Sequence, residues 1–245
     1  MIVCLDQEKA YDRIDLTYLW KTLTAYGFPE PFITRIKNLY SLATTAIRIN
    51  RFVSEPFDVR RGVRQGDPMS CLLYNLAIKP LLENIRSSPL KGFNISNDLE
   101  KVLVKAYADN TTVYIGPDDN PSDLMECLDL FCRASTAKFN DQKTEIIPLG
   151  SKEARITTIR TRKFNRWNIE DNVRIAQEGE ATHILGSWQG HGINIQAKWN
   201  EMLEKQQKTM KLWNQSYPSA TGRVLIAKAL VVSLAYYLMT VNGIT

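Results

Sequence analysis

Hydrophobic residues recur along the chain with two different periods, which predicts strands and helices mixed in one α+β fold. Residues 2–5 form a short apolar run, as in a buried strand, and residues 103–116 (LVKAYADNTTVYIG) alternate on both sides of Asp109 and Asn110. The second pattern predicts a hairpin with Asp109 and Asn110 in its tight turn. Further strands are predicted at 44–50, 52–59, 145–150 and 183–190.

Apolar residues spaced three and four positions apart predict six helices. They are expected after Asp15 and at 30–41, 71–86, 122–138, 195–213 and 222–239. Asp15 and Ser70 precede two of them and are suitable N-cap residues. The pattern of strands gives way to helices between 180 and 195. We therefore expect one region at 1–190, with a basic insertion at 151–182, and a helical region at 191–245.

The composition of the 245 residues is that of a globular protein, with 44% hydrophobic residues. No apolar run approaches the 18 residues of a membrane span, because Ser233 and tyrosines interrupt the longest run, so we expect no membrane partner. The start, MIVCLDQEKAYD, is not a signal peptide, and its immediate entry into a strand suggests a truncated chain. Four scattered cysteines favour reduced thiols in an intracellular protein, nuclear or cytoplasmic and not secreted.

Basic residues are concentrated in one segment. The net charge is +5, which permits a polyanionic partner without requiring one. Within 155–174 the basic residues outnumber Glu170 and Asp171, and they are Arg155, Arg160, Arg162, Lys163, Arg166 and Arg174. A solvated basic face and a phosphate-contacting face both fit this pattern.

Three stretches contain residues suited to chemistry. In VCLDQEKAYD a strand ends at Asp6, and Tyr11 follows five positions later. RRGVRQGDPMSCLLYNLAI is a glycine-containing loop that enters a long helix, and AYADN presents Asp109 at a hairpin tip. Asp6 and Asp109 are turn or cap residues if each is taken alone. Together they could hold Mg²⁺, which usually takes one or two carboxylates plus substrate phosphates.

The order and spacing of these stretches resemble the reverse transcriptase of LINE-type, non-LTR retrotransposons, found in fungi and other eukaryotes. The resemblance continues through FNDQKTEIIPLG, ILGSWQG and TGRVLIAKALVVSLAYYLM, and it covers essentially the whole chain. It implies a polymerase palm at 1–190, with an antiparallel sheet and packed helices, and a helical thumb at 191–245. Most of the fingers would be missing. The implied activity is an RNA-directed DNA polymerase that uses an RNA template, a DNA primer and deoxynucleoside triphosphates.

The resemblance also implies roles for individual residues. Asp6 and Asp109 would bridge two divalent ions beside Asn110, Mg²⁺ or preferably Mn²⁺. Lys143 would protonate the leaving pyrophosphate, and Tyr11 would exclude a 2′-hydroxyl. Residues implied to contact nucleotide or template are Gln65, Gly66 and Arg61, those of the primer grip are Leu185, Gly186, Trp188 and Gly190, and those on the nucleic-acid backbone are Arg160, Arg162, Lys163 and Arg166. Tyr11 as a core residue, and Arg61 and Lys143 as surface charges, are the plain structural alternatives.

The chain departs from the family pattern at Asn110, where the family has a second aspartate. An amide there keeps the turn but removes one negative charge beside the ions, so Mg²⁺ binding should weaken. A catalytically dead remnant with at most nucleic-acid binding is therefore the alternative hypothesis. An intron-encoded maturase or a viral RNA-copying enzyme is a third, and the wording of the motifs favours the LINE-type branch over it.

Overall fold

A computed structural model of the chain describes residues 1–93 and 101–242. Residues 94–100 of the predicted palm and 243–245 of the predicted thumb lie outside the described residues. The chain divides into two compact units, Met1–Ile175 and Ala176–Thr245. This division comes earlier than the boundary we predicted at 190. The reason is that the hairpin before residue 190 bonds to the C-terminal helix, where Asn242 Nδ2 donates to the Trp188 carbonyl at 2.9 Å.

The first unit consists of eleven short strands and six helices among the described residues. Its strands are β1 (Ile2–Leu5), β2 (Thr44–Thr45), β3 (Arg48–Ile49), β4 (Phe52–Val53), β5 (Phe57–Asp58), β6 (Val104–Tyr107), β7 (Asn110–Tyr114), β8 (Glu145–Ile147), β9 (Lys163–Phe164), β10 (Trp167–Asn168) and β11 (Arg174–Ile175). Its helices are α1 (Ala10–Arg13), α2 (Leu16–Ala25), α3 (Glu30–Ser41), α4 (Ser70–Ser87), α5 (Pro121–Ser135) and α6 (Lys152–Thr161).

A five-stranded sheet in the order β11-β8-β1-β7-β6 forms the centre of this unit. Its pairs are antiparallel except β11 with β8, which is parallel. The prediction of an antiparallel sheet was therefore wrong at this edge. A parallel neighbour needs a crossover connection, and α6 with the β9–β10 hairpin supplies it between β8 and β11. The α+β class is confirmed, with a mixed sheet.

The core lies where α2, α4 and α5 meet one another and the sheet. Helix α4 buries Leu73, Ala77, Leu81 and Ile85, which recur every four residues as expected for one helix face. Burial of each such aliphatic side chain contributes about 1.5–3 kcal/mol. On β7 the buried run begins only after Asn110, which is exposed. At the hairpin tip Asn110 is therefore exposed, while the loop residues Ala108 and Asp109 are half-buried.

The two predicted N-caps had different outcomes. Asp15 Oδ1 accepts from the Tyr18 amide at 2.7 Å, which confirms the cap of α2. Ser70 does not cap α4, because it is already the first helical residue and is buried. The preceding loop is closed instead by Asp67, whose Oδ1 accepts from the Met69 amide at 2.8 Å.

The second unit contains one hairpin and a set of helices. These are β12 (Thr182–Ile184), β13 (Ser187–Gln189), α7 (Ile195–Asn214), α8 (Ala220–Ala227), a π-helical turn at Lys228–Val232 and α9 (Ser233–Asn242). The last three form one continuous helix, Ala220–Asn242, which is long and apolar enough to cross a membrane by length and composition only. We did not expect this length from the sequence, because Ser233 and the tyrosines interrupt the apolar run without interrupting the helix. The apolar window of this helix is 6% buried, and its length and composition alone assign no membrane partner.

Candidate active site

Asp6 and Asp109 lie at the same end of two adjacent strands, β1 and β7, inside the central sheet. Strands β1 and β7 are antiparallel, with Leu5 opposite Thr111, so Asp6 follows β1 at the end where β7 begins. The β6–β7 hairpin closes with Tyr107 opposite Asn110 and places Asp109 in its loop. Neighbouring strands are about 4.8 Å apart. The fold therefore places Asp6 and Asp109, which the sequence predicted as a pair of metal ligands, at the ends of neighbouring strands.

The hairpin loop differs by one residue from our prediction. The closing pair is Tyr107 and Asn110, so the two loop residues are Ala108 and Asp109, and Asn110 is the first residue of β7. Ala108 takes the left-handed conformation, with φ +52°. After glycine, asparagine and aspartate tolerate that conformation best, which is why the sequence placed the turn on Asp109-Asn110. The strand register, fixed by pairing with β1, has overridden this local preference.

Lys143 lies beside the carboxylate of Asp6. The Asn140 amide donates to the Asp6 carbonyl at 2.8 Å, and the amides of Lys143 and Thr144 both donate back to the Asn140 carbonyl. This turn places Lys143 Nζ 4.0 Å from Asp6 Oδ2. The lysine side chain is 69% exposed, so it is open to a ligand at this end of the strands. The arrangement sets an ammonium proton donor next to the predicted metal ligand.

Tyr11 lies against an aromatic floor near Asp109. Its ring stacks on Tyr74 with centroids 4.5 Å apart and planes 15° from parallel. Its hydroxyl donates to Cys71 Sγ at 3.7 Å. Burial first, and then the Cys71 thiol and the negative charge of Asp109, raise the pKa of Tyr11 to about 12. The Tyr11 hydroxyl is therefore neutral at physiological pH, within the electrostatic reach of Asp109.

The glycine loop packs on the backbone of the Tyr11 turn. The Val63 amide donates to the Tyr11 carbonyl at 2.7 Å, and the Gly62 amide donates to the Ile14 carbonyl at 2.8 Å. A Cβ on Gly62 would lie 2.7 Å from the Asp12 backbone, and its φ is +83°. From the sequence we predicted a role for Gly66, where an added Cβ would meet nothing within 4 Å, and none for Gly62. The repeated glycine in RRGVRQG was the available signal.

The predicted loop residues Gln65, Gly66 and Arg61 are all exposed. Arg61 makes a backbone bridge with Asp15, which leaves its side chain on the surface. The neighbouring Arg64 contacts protein instead, because its guanidinium donates to the Leu39 carbonyl at 3.3 Å. The loop that the sequence assigned to nucleotide and template therefore presents its side chains to solvent next to Tyr11.

Glu8 holds the turn between Asp6 and Tyr11, and the sequence did not predict this role. Its carboxylate pairs with Arg13 at 2.6 Å and with Lys138 at 3.0 Å. The hydrogen bonds from these two cations lower the pKa of Glu8. Since Lys138 and the Asp6-bonded Asn140 belong to one segment, that segment holds both ends of the turn.

The donor set suits divalent ions that take most of their ligands from a substrate. Within 1–93 and 101–242, no group of three or more His, Cys, Asp or Glu side chains forms a closed metal cluster. Asp6 and Asp109 provide two carboxylates at the same end of adjacent strands, and hard ions such as Mg²⁺ are commonly held by one or two carboxylates plus phosphates. The site therefore fits the class of divalent metal that reverse transcriptases use.

The predicted backbone-binding cations divide into two kinds. Arg160, Lys163 and Arg166 are exposed on α6 and the β9–β10 hairpin. Arg162 is half-buried, and its guanidinium donates to the carbonyls of Glu170 and Val173 and pairs with Asp171. The structure thus places three of the four on a surface, while the fourth stabilises the fold.

The predicted primer-grip residues form the β12–β13 hairpin of the second unit and the residue after it. Leu185 and Gly186 form the turn in left-handed conformations, with φ +49° and +81°. The Tyr237 hydroxyl donates to the Leu185 carbonyl, and a Cβ on Gly186 would lie 2.6 Å from the Tyr237 ring. Trp188 is half-buried, and Gly190 follows β13. Helix α9 therefore fixes the shape of this hairpin.

Comparisons with known proteins agree with these motifs. A family profile described as reverse transcriptase (RNA-dependent DNA polymerase) matches residues 1–186. A Xenopus laevis protein, the uncharacterized 149 kDa protein of transposon TX1, is 37% identical over 147 residues, which are 60% of this chain and 11% of that protein. The Pol polyprotein of the type-2 retrotransposable element R2DM of Drosophila melanogaster is 34% identical over 113 residues, 46% of this chain and 10% of that protein. The Pol polyprotein of the type-1 element R2 of Popillia japonica is 34% identical over 110 residues, 44% of this chain and 15% of that protein.

Proposed function

Because this chain belongs to the reverse transcriptase family, with relatives in non-LTR retrotransposons, we propose that it forms the polymerase core of a LINE-type element protein. The reaction would be RNA-directed addition of deoxynucleotides to a DNA primer. Each match covers 15% or less of its relative's own length, so the proposal concerns this core and not a whole polyprotein.

One observation supports this function best: Asp6 and Asp109 lie at the same end of neighbouring strands, with Lys143 Nζ 4.0 Å from Asp6. Asp6 and Asp109 would hold two divalent ions, Mg²⁺ or preferably Mn²⁺. When bound, such ions neutralise the charge that develops on the transferring phosphoryl group. Lys143 would donate its proton to the departing pyrophosphate, since general acids must lie within reach of the leaving oxygen.

The remaining site residues would position the substrates. Tyr11 would lie under the sugar of the incoming nucleotide and exclude a 2′-hydroxyl by contact. The exposed loop of Arg61, Gln65 and Gly66 borders the Tyr11 turn and would contact the nucleotide and the template base. The backbone hydrogen bonds between this loop and the Tyr11 turn would fix the position of the loop relative to Tyr11.

We propose that the sheet unit is the palm and that the helical unit is the thumb. The exposed cations Arg160, Lys163 and Arg166 would contact phosphates of the nucleic acid, and Leu185, Gly186, Trp188 and Gly190 would grip the primer. Arg162 would support these contacts by stabilising the fold. An intracellular location fits the free thiols of Cys4, Cys71, Cys127 and Cys132.

Asn110 favours a second candidate function, an inactive copy that only binds nucleic acid. Asn110 is exposed at the start of β7, at the strand end that adjoins Asp6. An amide there leaves the divalent ions with one negative charge fewer than an aspartate would supply. Mg²⁺, which prefers charged oxygen ligands, would lose the most affinity.

Primer extension on an RNA template distinguishes the two candidates. The natural chain, Asn110→Asp and the control Asp6→Asn would each be assayed with Mg²⁺ and with Mn²⁺. We expect Asn110→Asp to extend the primer at least tenfold faster with Mg²⁺, and Asp6→Asn to be inactive with either ion. Extension by Asp6→Asn as fast as by its parent would overturn the assigned site. Binding of a primer–template by all three proteins, with extension by none, would favour the binding-only function.

A further inference from the structure

Tyr74 forms the floor under Tyr11 and has a polar contact of its own. Its side chain is fully buried in helix α4. While its ring stacks on Tyr11, its hydroxyl donates to Gln7 Oε1 at 2.9 Å. Stacking alone would be satisfied by phenylalanine, so the hydroxyl does something that the stack does not.

Gln7 directly follows Asp6, and its amide is in an unusual position. The residue is 5% exposed, and its Nε2 has no hydrogen-bond partner within the described part of the chain. The bond from Tyr74 is thus the one side-chain hydrogen bond that the structure shows for Gln7. An unpaired amide group in the interior destabilises the fold. The bond from Tyr74 is therefore the polar contact that holds the Gln7 and Tyr74 side chains in place.

These contacts form a continuous connection from Asp6 to Tyr11. Asp6 and Gln7 share the end of β1, Gln7 accepts from Tyr74, and Tyr74 stacks on Tyr11. Burial raises the pKa of Tyr74, and the charge of Asp109 raises it further, so the hydroxyl stays a donor at every physiological pH. The bond joins the strand of the predicted metal ligand to the ring that supports the predicted sugar contact.

We propose that Tyr74 is a positioning residue whose hydroxyl bond to Gln7 sets the place of Tyr11 relative to Asp6, and thereby the discrimination between deoxynucleotides and ribonucleotides. This inference rests on the proposed polymerase function. Without the hydroxyl, the stack survives but the floor ring is free to shift, and Tyr11 shifts with it. Loss of the hydroxyl should therefore change nucleotide affinity and sugar discrimination, and not the chemical step, because no reacting group is removed.

The test compares Tyr74→Phe with a matched control, Tyr18 of α2, whose hydroxyl also bonds across the fold. Tyr18 donates its hydroxyl to the Ala77 carbonyl of α4 at 2.8 Å and makes no stack on Tyr11. Tyr18→Phe therefore removes one hydroxyl bond to α4 without changing the floor. Both variants would be made in whichever of the natural chain and Asn110→Asp extends primers faster.

We expect Tyr74→Phe to raise the KM for deoxynucleotides and to increase ribonucleotide incorporation, each by about three- to tenfold, the range that one neutral hydrogen bond supports. The kcat should change less than twofold, and Tyr18→Phe should leave both quantities unaltered. Tyr74→Phe combined with Gln7→Leu should recover stability, because no buried amide is then left unpaired, but it should recover neither the KM nor the discrimination, because the positioning bond is still absent.

A second measurement does not depend on polymerase activity. The Tyr11 hydroxyl donates to Cys71 Sγ, so the alkylation rate of Cys71, followed by peptide mass spectrometry, reports where Tyr11 lies. Tyr74→Phe should speed this reaction at least threefold, and Tyr18→Phe should not. If the parent cannot extend a primer, the proposed function fails and this rate alone decides the positioning role. An unchanged rate in Tyr74→Phe, or an equal change in Tyr18→Phe, would overturn the inference.

Discussion

Lys143 and Lys138 are two exposed lysines of one segment, and they contact different carboxylates. Lys143 lies 4.0 Å from Asp6, and Lys138 pairs with Glu8 at 3.0 Å. Of the two, only Lys143 lies beside a carboxylate that is predicted to hold the metal. Comparing variants of the two lysines therefore distinguishes a chemical role of Lys143 from a general effect of positive charge near the site.

We expect Lys143→Gln, in the faster of the natural and Asn110→Asp chains, to lower kcat by about 10²–10⁴-fold, as loss of a general acid does. Lys138→Gln should change kcat less than threefold, because Arg13 still pairs with Glu8. Single-nucleotide incorporation under saturating substrate measures both. Equal losses in the two variants would show that Lys143 acts through charge alone.

Gly62 and Gly66 have similar left-handed conformations but different surroundings. A methyl group on Gly62 would lie 2.7 Å from the Asp12 backbone, whereas one on Gly66 would meet nothing within 4 Å. We expect Gly66→Ala to cost about 1–2 kcal/mol from conformation alone. Gly62→Ala should cost a further amount of about 1–3 kcal/mol from overlap. Urea unfolding of the two variants measures the difference, and equal midpoints would contradict the packing argument.

The sequence paired Asp6 with Asp109 through its resemblance to reverse transcriptases, and the structure places the two residues at the ends of neighbouring strands. Gly62 against Asp12 and Glu8 against Lys138 could not be found this way. The resemblance assigns no role to Gly62 or Glu8, and hydrophobic period does not encode contacts between distant segments. The roles of the residues remain predictions.

At the scale of elements, the basic residues between β8 and β11 have two different structural roles. Arg162 ends α6 in a left-handed conformation and donates into the turn that follows the β9–β10 hairpin. Arg166 belongs to the hairpin's turn and is exposed. One arginine therefore maintains the crossover, and the other is available to a partner.

We expect Arg162→Ala to lower the free energy of unfolding by about 1–2 kcal/mol, because two carbonyls lose a charged donor. Arg166→Ala should stay within about 0.5 kcal/mol of the parent. In fluorescence anisotropy with an RNA–DNA hybrid, Arg166→Ala should weaken binding and reduce the salt slope by about one. Unchanged binding and slope in Arg166→Ala would remove this hairpin from the proposed interface.

Long helices and the main hairpins could be predicted because their periodic patterns are strong. Helix α3 was predicted at its observed bounds, Glu30–Ser41. Helix α6 was missed because its apolar positions are few and none of its residues is buried. Strand β11 was missed because two residues show no period, and its pairing with β8 is set by the crossover.

For the chain as a whole, buried neutral acids predict how stability depends on pH. Burial raises the pKa of Cys4 from 9.0 to about 12, with a smaller contribution from the charge of Glu145, and burial raises that of Tyr18 from 10.0 to about 12. The unfolded chain loses these protons first as the pH rises above 9. The unfolded state then binds fewer protons than the native state, so the free energy of unfolding falls with rising pH.

We expect unfolding free energy to be insensitive to these groups below pH 9 and to fall between pH 9 and 12. The slope is up to about 1.4 kcal/mol per pH unit for each group. Cys4→Ala should show a shallower fall over that window than its parent. Denaturant titrations at a series of pH values measure the two slopes, and parallel curves would exclude Cys4 as a contributor.

The hairpin closed by Tyr107 and Asn110 has a consequence for whether a cell would degrade the protein. Chaperones and proteases respond to the fraction of a protein that is unfolded. Asparagine in place of aspartate at the start of β7 removes a charge at an exposed position and leaves the strand pairing in place. Cellular quality control would therefore retain the chain whether or not it copies RNA. Its abundance would report that the chain folds, and not that it copies RNA.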